Sequence, residues 1–110
     1  DFLEQLIKIN VKKRKTDFIN AAKNGDIFNV EVLLKEGIDI NITDQKNGYS
    51  ALHWAAEKGQ KQIVRLLIEK GANLNAKTKN NLTPLNLADN NFENEISELL
   101  LKNGASEFVY

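Results

Sequence analysis

The chain reads as an all-α solenoid of stacked helix-turn-helix units joined by short β-hairpin-like loops, with a capping helix at the N-terminus. Two observations predict it. First, "AAKNGDIFNVEVLLKEGIDIN" (21 to 41) aligns with "AAEKGQKQIVRLLIEKGANLN" (55 to 75) at an offset of 34. A further copy pairs "LHWA" with "LNLA" at an offset of 33. A fixed period in this range is the mark of a repeat architecture. Second, the six glycines all stand where such units would break: Gly25 and Gly59 after the first helix, Gly37, Gly71 and Gly104 after the second, and Gly48 in an Asn-Gly turn.

The elements follow in order. Residues 1–13, "DFLEQLIKINVKK", carry Phe2, Leu3, Leu6, Ile7 and Val11 at helical spacing and predict a capping or linker helix. Three units come next, at 14–47, 48–80 and 81–110, the first atypical, the second the most regular and the third cap-like with a tail. Each opens on a hydroxyl residue suited to a helix N-cap, Thr16, Ser50 or Thr83. The only Pro, Pro84, follows Thr83 in the first turn, where its missing N–H costs nothing. Small Ala21, Ala22, Ala55, Ala56 and Ala88 permit close approach between first helices. The second helices carry Val30, Val32, Leu33 and Leu34, then Ile63, Val64, Leu66, Leu67 and Ile68, then Ile96, Leu99, Leu100 and Leu101. Faces this apolar must stack on neighbours.

At 110 residues the chain is one domain's worth and can bury somewhat over ~60% of its unfolded surface. With 15 basic and 15 acidic residues, the overall field draws it neither to nucleic acid nor to an anionic membrane. Absence of Cys excludes disulfides, thiol nucleophiles and thiolate metal sites. No apolar run approaches the ~18 residues that span a bilayer. Asn occurs 15 times and Lys outnumbers Arg 13 to 2, a bias that carries no function by itself. A chain beginning with Asp is expected to be a fragment of a longer protein.

Chemistry is sparse. His53 and Trp54 are the only residues of their kinds, with Ser50 three positions before the imidazole. A nucleophile and base would need a carboxylate fixed behind the imidazole, and no spacing supplies one. The Ser-x-x-His order instead suits a capping-box analogue, Ser50 toward the His53 N–H and the ring back toward the Ser50 N–H. Trp54 is read as packing. One His without Cys makes no metal site, and no glycine-rich phosphate loop is present. No catalytic, cofactor or metal residue is therefore assigned. The run Lys12, Lys13, Arg14 and Lys15 has the form of a nuclear-targeting or nucleic-acid patch, but it equally suits the last turn of a helix ending before Thr16.

Taken together, "SALHWA" (50 to 55), "TPLNLA" (83 to 88), the glycine turns and the "GANLN" loop resemble ankyrin repeats, over roughly residues 14 to 106. Two departures stand out. Ile19 fills the His place of the first unit, and Phe92 fills the Gly-turn place of the third. Because a Phe in the left-handed region is strained, Asn91 is expected to take that conformation, or the turn to be reshaped. The resemblance implies a non-enzymatic protein-binding module contacting a protein partner through hairpin tips and the concave first-helix face. Carried onto this chain, the tip positions are Lys46, Asn47, Tyr49, Lys79, Asn80 and Leu82. The helix positions are Lys23, Asn24, Glu57, Lys58, Asn90 and Asn91. Tyr49 and Leu82 are the expected anchors. No cofactor, no membrane and a monomer are expected, with nucleic acid disfavoured. The alternatives are an adaptor domain of a larger enzyme or effector, and nuclear targeting or nucleic-acid contact through 12–15. The expected location is intracellular and cytoplasmic, the alternatives being the nucleus or delivery into a host cell.

Overall fold

A computed structural model describes residues 1–107; the last three residues of the third unit, 108–110, lie outside the described residues. Six helices form among these: α1 (Phe2–Asn24), α2 (Ile27–Lys35), α3 (Ala51–Glu57), α4 (Lys61–Glu69), α5 (Pro84–Asn90) and α6 (Asn94–Lys102). They stand in two rows. α1, α3 and α5 pack side by side as one row, α2, α4 and α6 form the other, and each unit's pair is antiparallel across a tight turn.

Small residues decide how closely the first row packs. Ala22, Ala51, Ala55, Ala56 and Ala88 are fully buried, so helix backbones approach with little side chain between them. Larger groups fill the space between the rows: Phe18, Val30, Leu52, Ile63, Val64, Leu67, Ile96 and Leu100 lie in one continuous core. Each such side chain removed from water is worth roughly 1.5 to 3 kcal/mol. The stack is elongated, 47 × 28 × 20 Å.

The N-terminal boundary differs from expectation. Thr16 does not cap a helix; it sits inside α1, and its hydroxyl donates back to the Lys12 carbonyl at 3.1 Å. Residues 2–24 contain neither Gly nor Pro, and a run of Lys, Leu, Ile and Arg gives the backbone no reason to break. The local capping preference of Thr therefore loses to helix propagation. The true N-cap is Asp1, which accepts the Glu4 N–H at 2.9 Å and closes a capping box. The capping helix expected at 1–13 and the first helix of unit one are thus a single element. The basic run lies in its middle, away from any helix terminus.

α2 returns along α1 as far as Arg14, whose guanidinium donates to Glu36 Oε2 at 2.9 Å just past the end of α2. Residues 2–11 of α1 project beyond this point with no second-row helix beside them.

The turn at Phe92 is also resolved differently. Asn91 has φ −105°, and Phe92 itself takes the left-handed conformation at φ 58°, 85% exposed. In unit two the same place is Gly59, at φ 73°, where a Cβ would stand 2.7 Å from Glu93 Oε1 of the next unit. At position 92 the side chain is 85% exposed and meets no such crowding among the described residues, so only the backbone strain remains.

Candidate protein-interaction face

Units two and three open with the same device. Ser50 Oγ accepts the His53 N–H at 3.3 Å, and Thr83 Oγ1 accepts the Asn86 N–H at 3.1 Å. The reciprocal bond runs from the Ser50 N–H to His53 Nδ1 at 3.1 Å, and from the Thr83 N–H to Asn86 Oδ1 at 3.0 Å. His53 does more than Asn86. Its Nε2 faces two backbone carbonyls, Ala76 at 3.0 Å and Leu82 at 3.1 Å, so that nitrogen carries the proton and Nδ1 accepts. Ser50 Oγ also lies 2.8 Å from Nδ1, which superficially pairs a hydroxyl with a base. Yet His53 is fully buried, Ser50 nearly so, and both ring nitrogens are committed to backbone. Burial holds the imidazole below its ordinary pKa, against the opposing pull of the Ala76 and Leu82 carbonyls and of Asp44. The pair is framework.

The hairpin-like loops are ordered by a second buried-edge group that sequence reasoning passed over. Asp44 Oδ1 accepts the N–H groups of Asn47 at 2.7 Å, Gly48 at 3.0 Å and Tyr49 at 3.4 Å, while Oδ2 accepts the Trp54 indole N–H at 3.2 Å. Burial pushes this carboxyl up, but the bonds from Asn47, Trp54, Tyr49 and Gly48 outweigh it and leave it below the ordinary carboxylate value. An isolated antiparallel bridge, Thr43 to Ser50, is the only strand-like pairing among the described residues. The Lys79 N–H donates to the Asn47 carbonyl at 3.0 Å, stacking the second tip on the first.

Asparagine ties the loops farther back. Asn41 Oδ1 accepts the Asn73 N–H at 2.8 Å, and Asn75 Oδ1 accepts the Ser106 N–H at 2.9 Å. Asn41 and Asn75 are equivalent by the 34-residue offset, so part of the Asn excess has a structural use. The repeat alignment itself was the signal that could have found them.

Of the expected contact residues, Lys46, Lys79, Asn80, Asn24, Lys58, Asn90 and Asn91 are exposed. Asn47 is half-buried in the turn. Lys23 is half-buried with its ammonium 4.5 Å from the centroid of the Trp54 ring. Tyr49 is no free anchor: its ring lies 4.5 Å from Trp54 and 5.6 Å from His53, and its hydroxyl donates to Glu57 at 3.4 Å. Burial, then the charge of Glu57, raises the phenol's pKa. Leu82 is likewise half-buried, its carbonyl spent on His53. Of the basic run, Arg14 is engaged with Glu36 and Lys13 is exposed. Lys12 and Lys15 line a hollow.

That hollow, about 740 Å3, lies between α1, the first hairpin tip and Trp54. A second, of about 660 Å3, runs between the first and second tips. The two share Lys15, Asp44 and Gln45, so they adjoin along one side of the stack.

A family model described as "Ankyrin repeats (3 copies)" matches residues 18–108. Ankyrin repeat domain-containing protein 40 of Mus musculus is 33% identical over 76 residues, 69% of this chain and 21% of its own length. Ankyrin repeat and KH domain-containing protein mask-1 of Caenorhabditis elegans is 38% identical over 92 residues, 83% of this chain and 3% of its own. Palmitoyltransferase AKR1 of Lachancea kluyveri is 44% identical over 64 residues, 58% of this chain and 8% of its own. The chain thus spans about a fifth or less of these relatives, one of which, the palmitoyltransferase, is an enzyme by name. No helix among the described residues is long and apolar enough to cross a membrane. Because the family model covers most of the chain, residues 18–108, this chain belongs to the ankyrin-repeat family, whose fold is a non-catalytic protein-interaction module.

Proposed function

We propose that this domain is a non-enzymatic, monomeric binding module that holds a protein partner against the hairpin tips and the first-helix row. The single observation that carries the reading is the pair of adjoining hollows on that side, continuous through Lys15, Asp44 and Gln45. Concavity spanning the first two repeats gives a partner extended contact that backbone hydrogen bonding has not used. Exposed Lys46, Lys79 and Asn80 stand at its tips; Tyr49 and Leu82 act behind them, as support.

A second reading nests within the first: the module serves as the adaptor part of a larger protein. It is favoured by the lengths of the relatives, of which this chain spans 3% to 21% in the cases above.

Affinity capture from the source cell tests the binding side. Wild type is compared with a tip variant, Lys46→Ser and Lys79→Ser, and with a second-row control, Arg65→Ser and Glu69→Ser. The control should recover the wild-type partner and the tip variant should lose most of it. Equal recovery by the tip variant would remove the proposal.

A further inference from the structure

The projecting part of α1 carries six large apolar side chains, Phe2, Leu3, Leu6, Ile7, Ile9 and Val11, from 41% exposed at Leu6 to 79% at Phe2. Contiguous apolar surface of this kind marks an interaction site. Through Ile7 and Val11 it runs into the larger hollow, where Ile19 and Trp54 continue the apolar floor. Five lysines, Lys8, Lys12, Lys15, Lys23 and Lys46, line the same hollow. Its one carboxylate, Asp44, is already taken up by three backbone N–H groups and the Trp54 indole. A chain with no net charge therefore concentrates positive charge around an aliphatic floor.

We propose that this hollow receives an acidic amphipathic helix from a protein partner, its apolar stripe on exposed Ile7 and Val11 and its carboxylates on the lysine rim. The inference rests on the reading that the first-helix and hairpin-tip side binds protein. Ile7 and Lys23 are 16 positions apart on α1, roughly 24 Å at 1.5 Å per residue, room for a partner helix of about four turns. A helix fits better than a strand, because the only bridge nearby, Thr43 to Ser50, is isolated and offers no sheet edge to extend. It also fits better than nucleic acid. Bases need free aromatic faces, whereas Trp54 already holds the Tyr49 ring and the Lys23 ammonium, and the remaining floor is aliphatic.

Trp54 is the only Trp, so its emission reports occupancy without a label. The probes are a synthetic helix of about 16 residues with Leu on one stripe and Glu elsewhere, the same helix with Lys for Glu, and single-stranded oligothymidylate. The Glu helix should shift Trp54 emission and bind at least about tenfold tighter than the Lys helix, weakening as salt rises. Lys12→Glu with Lys15→Glu should weaken it at least about tenfold again. Circular dichroism checks the fold of that variant; if it does not fold, the neutralising pair Lys12→Gln and Lys15→Gln is read instead. Equal binding of the Glu and Lys helices, unchanged affinity in the charge variants, or tighter binding of the oligonucleotide would overturn the proposal. So would self-association of the domain that the charge reversal abolishes, since the occupant would then be a second copy. If the captured partner is lost from the tip variant yet kept by the charge-reversed domain, the binding side stands and this inference alone fails.

Discussion

The imidazole Nε2–H of His53 donates to the backbone carbonyl of Leu82 at 3.1 Å, so one side chain of the second repeat fixes the loop that opens the third. Its other nitrogen accepts from Ser50. Removing the ring would orphan a buried N–H and two carbonyls and leave a cavity. His53→Ala should therefore cost roughly 2 to 4 kcal/mol in urea denaturation. His53→Asn should cost less, because Asn86 shows that an Asn completes the cap while losing only the link to the next loop. Equal losses for the two variants would assign the whole effect to the link with the Ala76 and Leu82 carbonyls and none of it to capping.

The same burial sets a pH dependence. Desolvation holds His53 below its ordinary value in the folded state, so the unfolded chain, titrating near ~6.5, takes up the proton more readily. The contribution is fully present above that unfolded value and is lost as pH falls below it. As pH falls below about 6.5 the stability of the wild type should decline, with a slope of at most about 1.4 kcal/mol per pH unit, and His53→Asn should flatten that decline. Parallel wild-type and variant curves would contradict the assignment.

Asp44 organises the first tip and orients Trp54 through one carboxylate. Asp44→Ala should cost roughly 1 to 3 kcal/mol and alter Trp54 emission in the folded state. Because its hydrogen bonds hold the folded pKa below the ordinary value, the contribution exists above about pH 4 and fades as pH falls through the folded value. Unaltered emission in Asp44→Ala would show the indole positioned by other contacts.

Phe92 sits at φ 58° while 85% exposed, so it bears backbone strain with little packing in return. Phe92→Gly should raise stability by roughly 0.5 to 1 kcal/mol, the strain relieved exceeding the added chain entropy. A lower melting temperature would mean that the ring makes contacts that matter.

The period, the glycine breaks and the caps of units two and three were legible because they are local signals repeated at a fixed offset. Ser50, Thr83 and Pro84 each announce a helix start by their own chemistry. Thr16 shows the limit of such signals: the same residue type, set in an unbroken run of helix formers, bonds to Lys12 and caps nothing. Phe92 defied the usual steric preference: its side chain is 85% exposed and free of the crowding that a Cβ at Gly59 would meet at Glu93. At the candidate face, Lys46, Lys79 and Asn80 were readable as exposed tips from the repeat alignment. The inward turn of Tyr49 was not, since it depends on Trp54 and Glu57 meeting it in space. The hollow beside α1 was hidden for a like reason: placing a helix boundary at 13 and 14 separated Ile7 and Val11 from Ile19, which one continuous helix brings to the same wall.

Amide hydrogen exchange on the domain bound to its captured partner tests the central claim most directly. If the first-helix and hairpin-tip side is the binding face, protection should rise at the tips around Lys46, Asn47, Lys79 and Asn80 and along α1, with α2, α4 and α6 unchanged. Protection gathered on α2, α4 and α6, with the tips exchanging as freely as in the unbound domain, would contradict it.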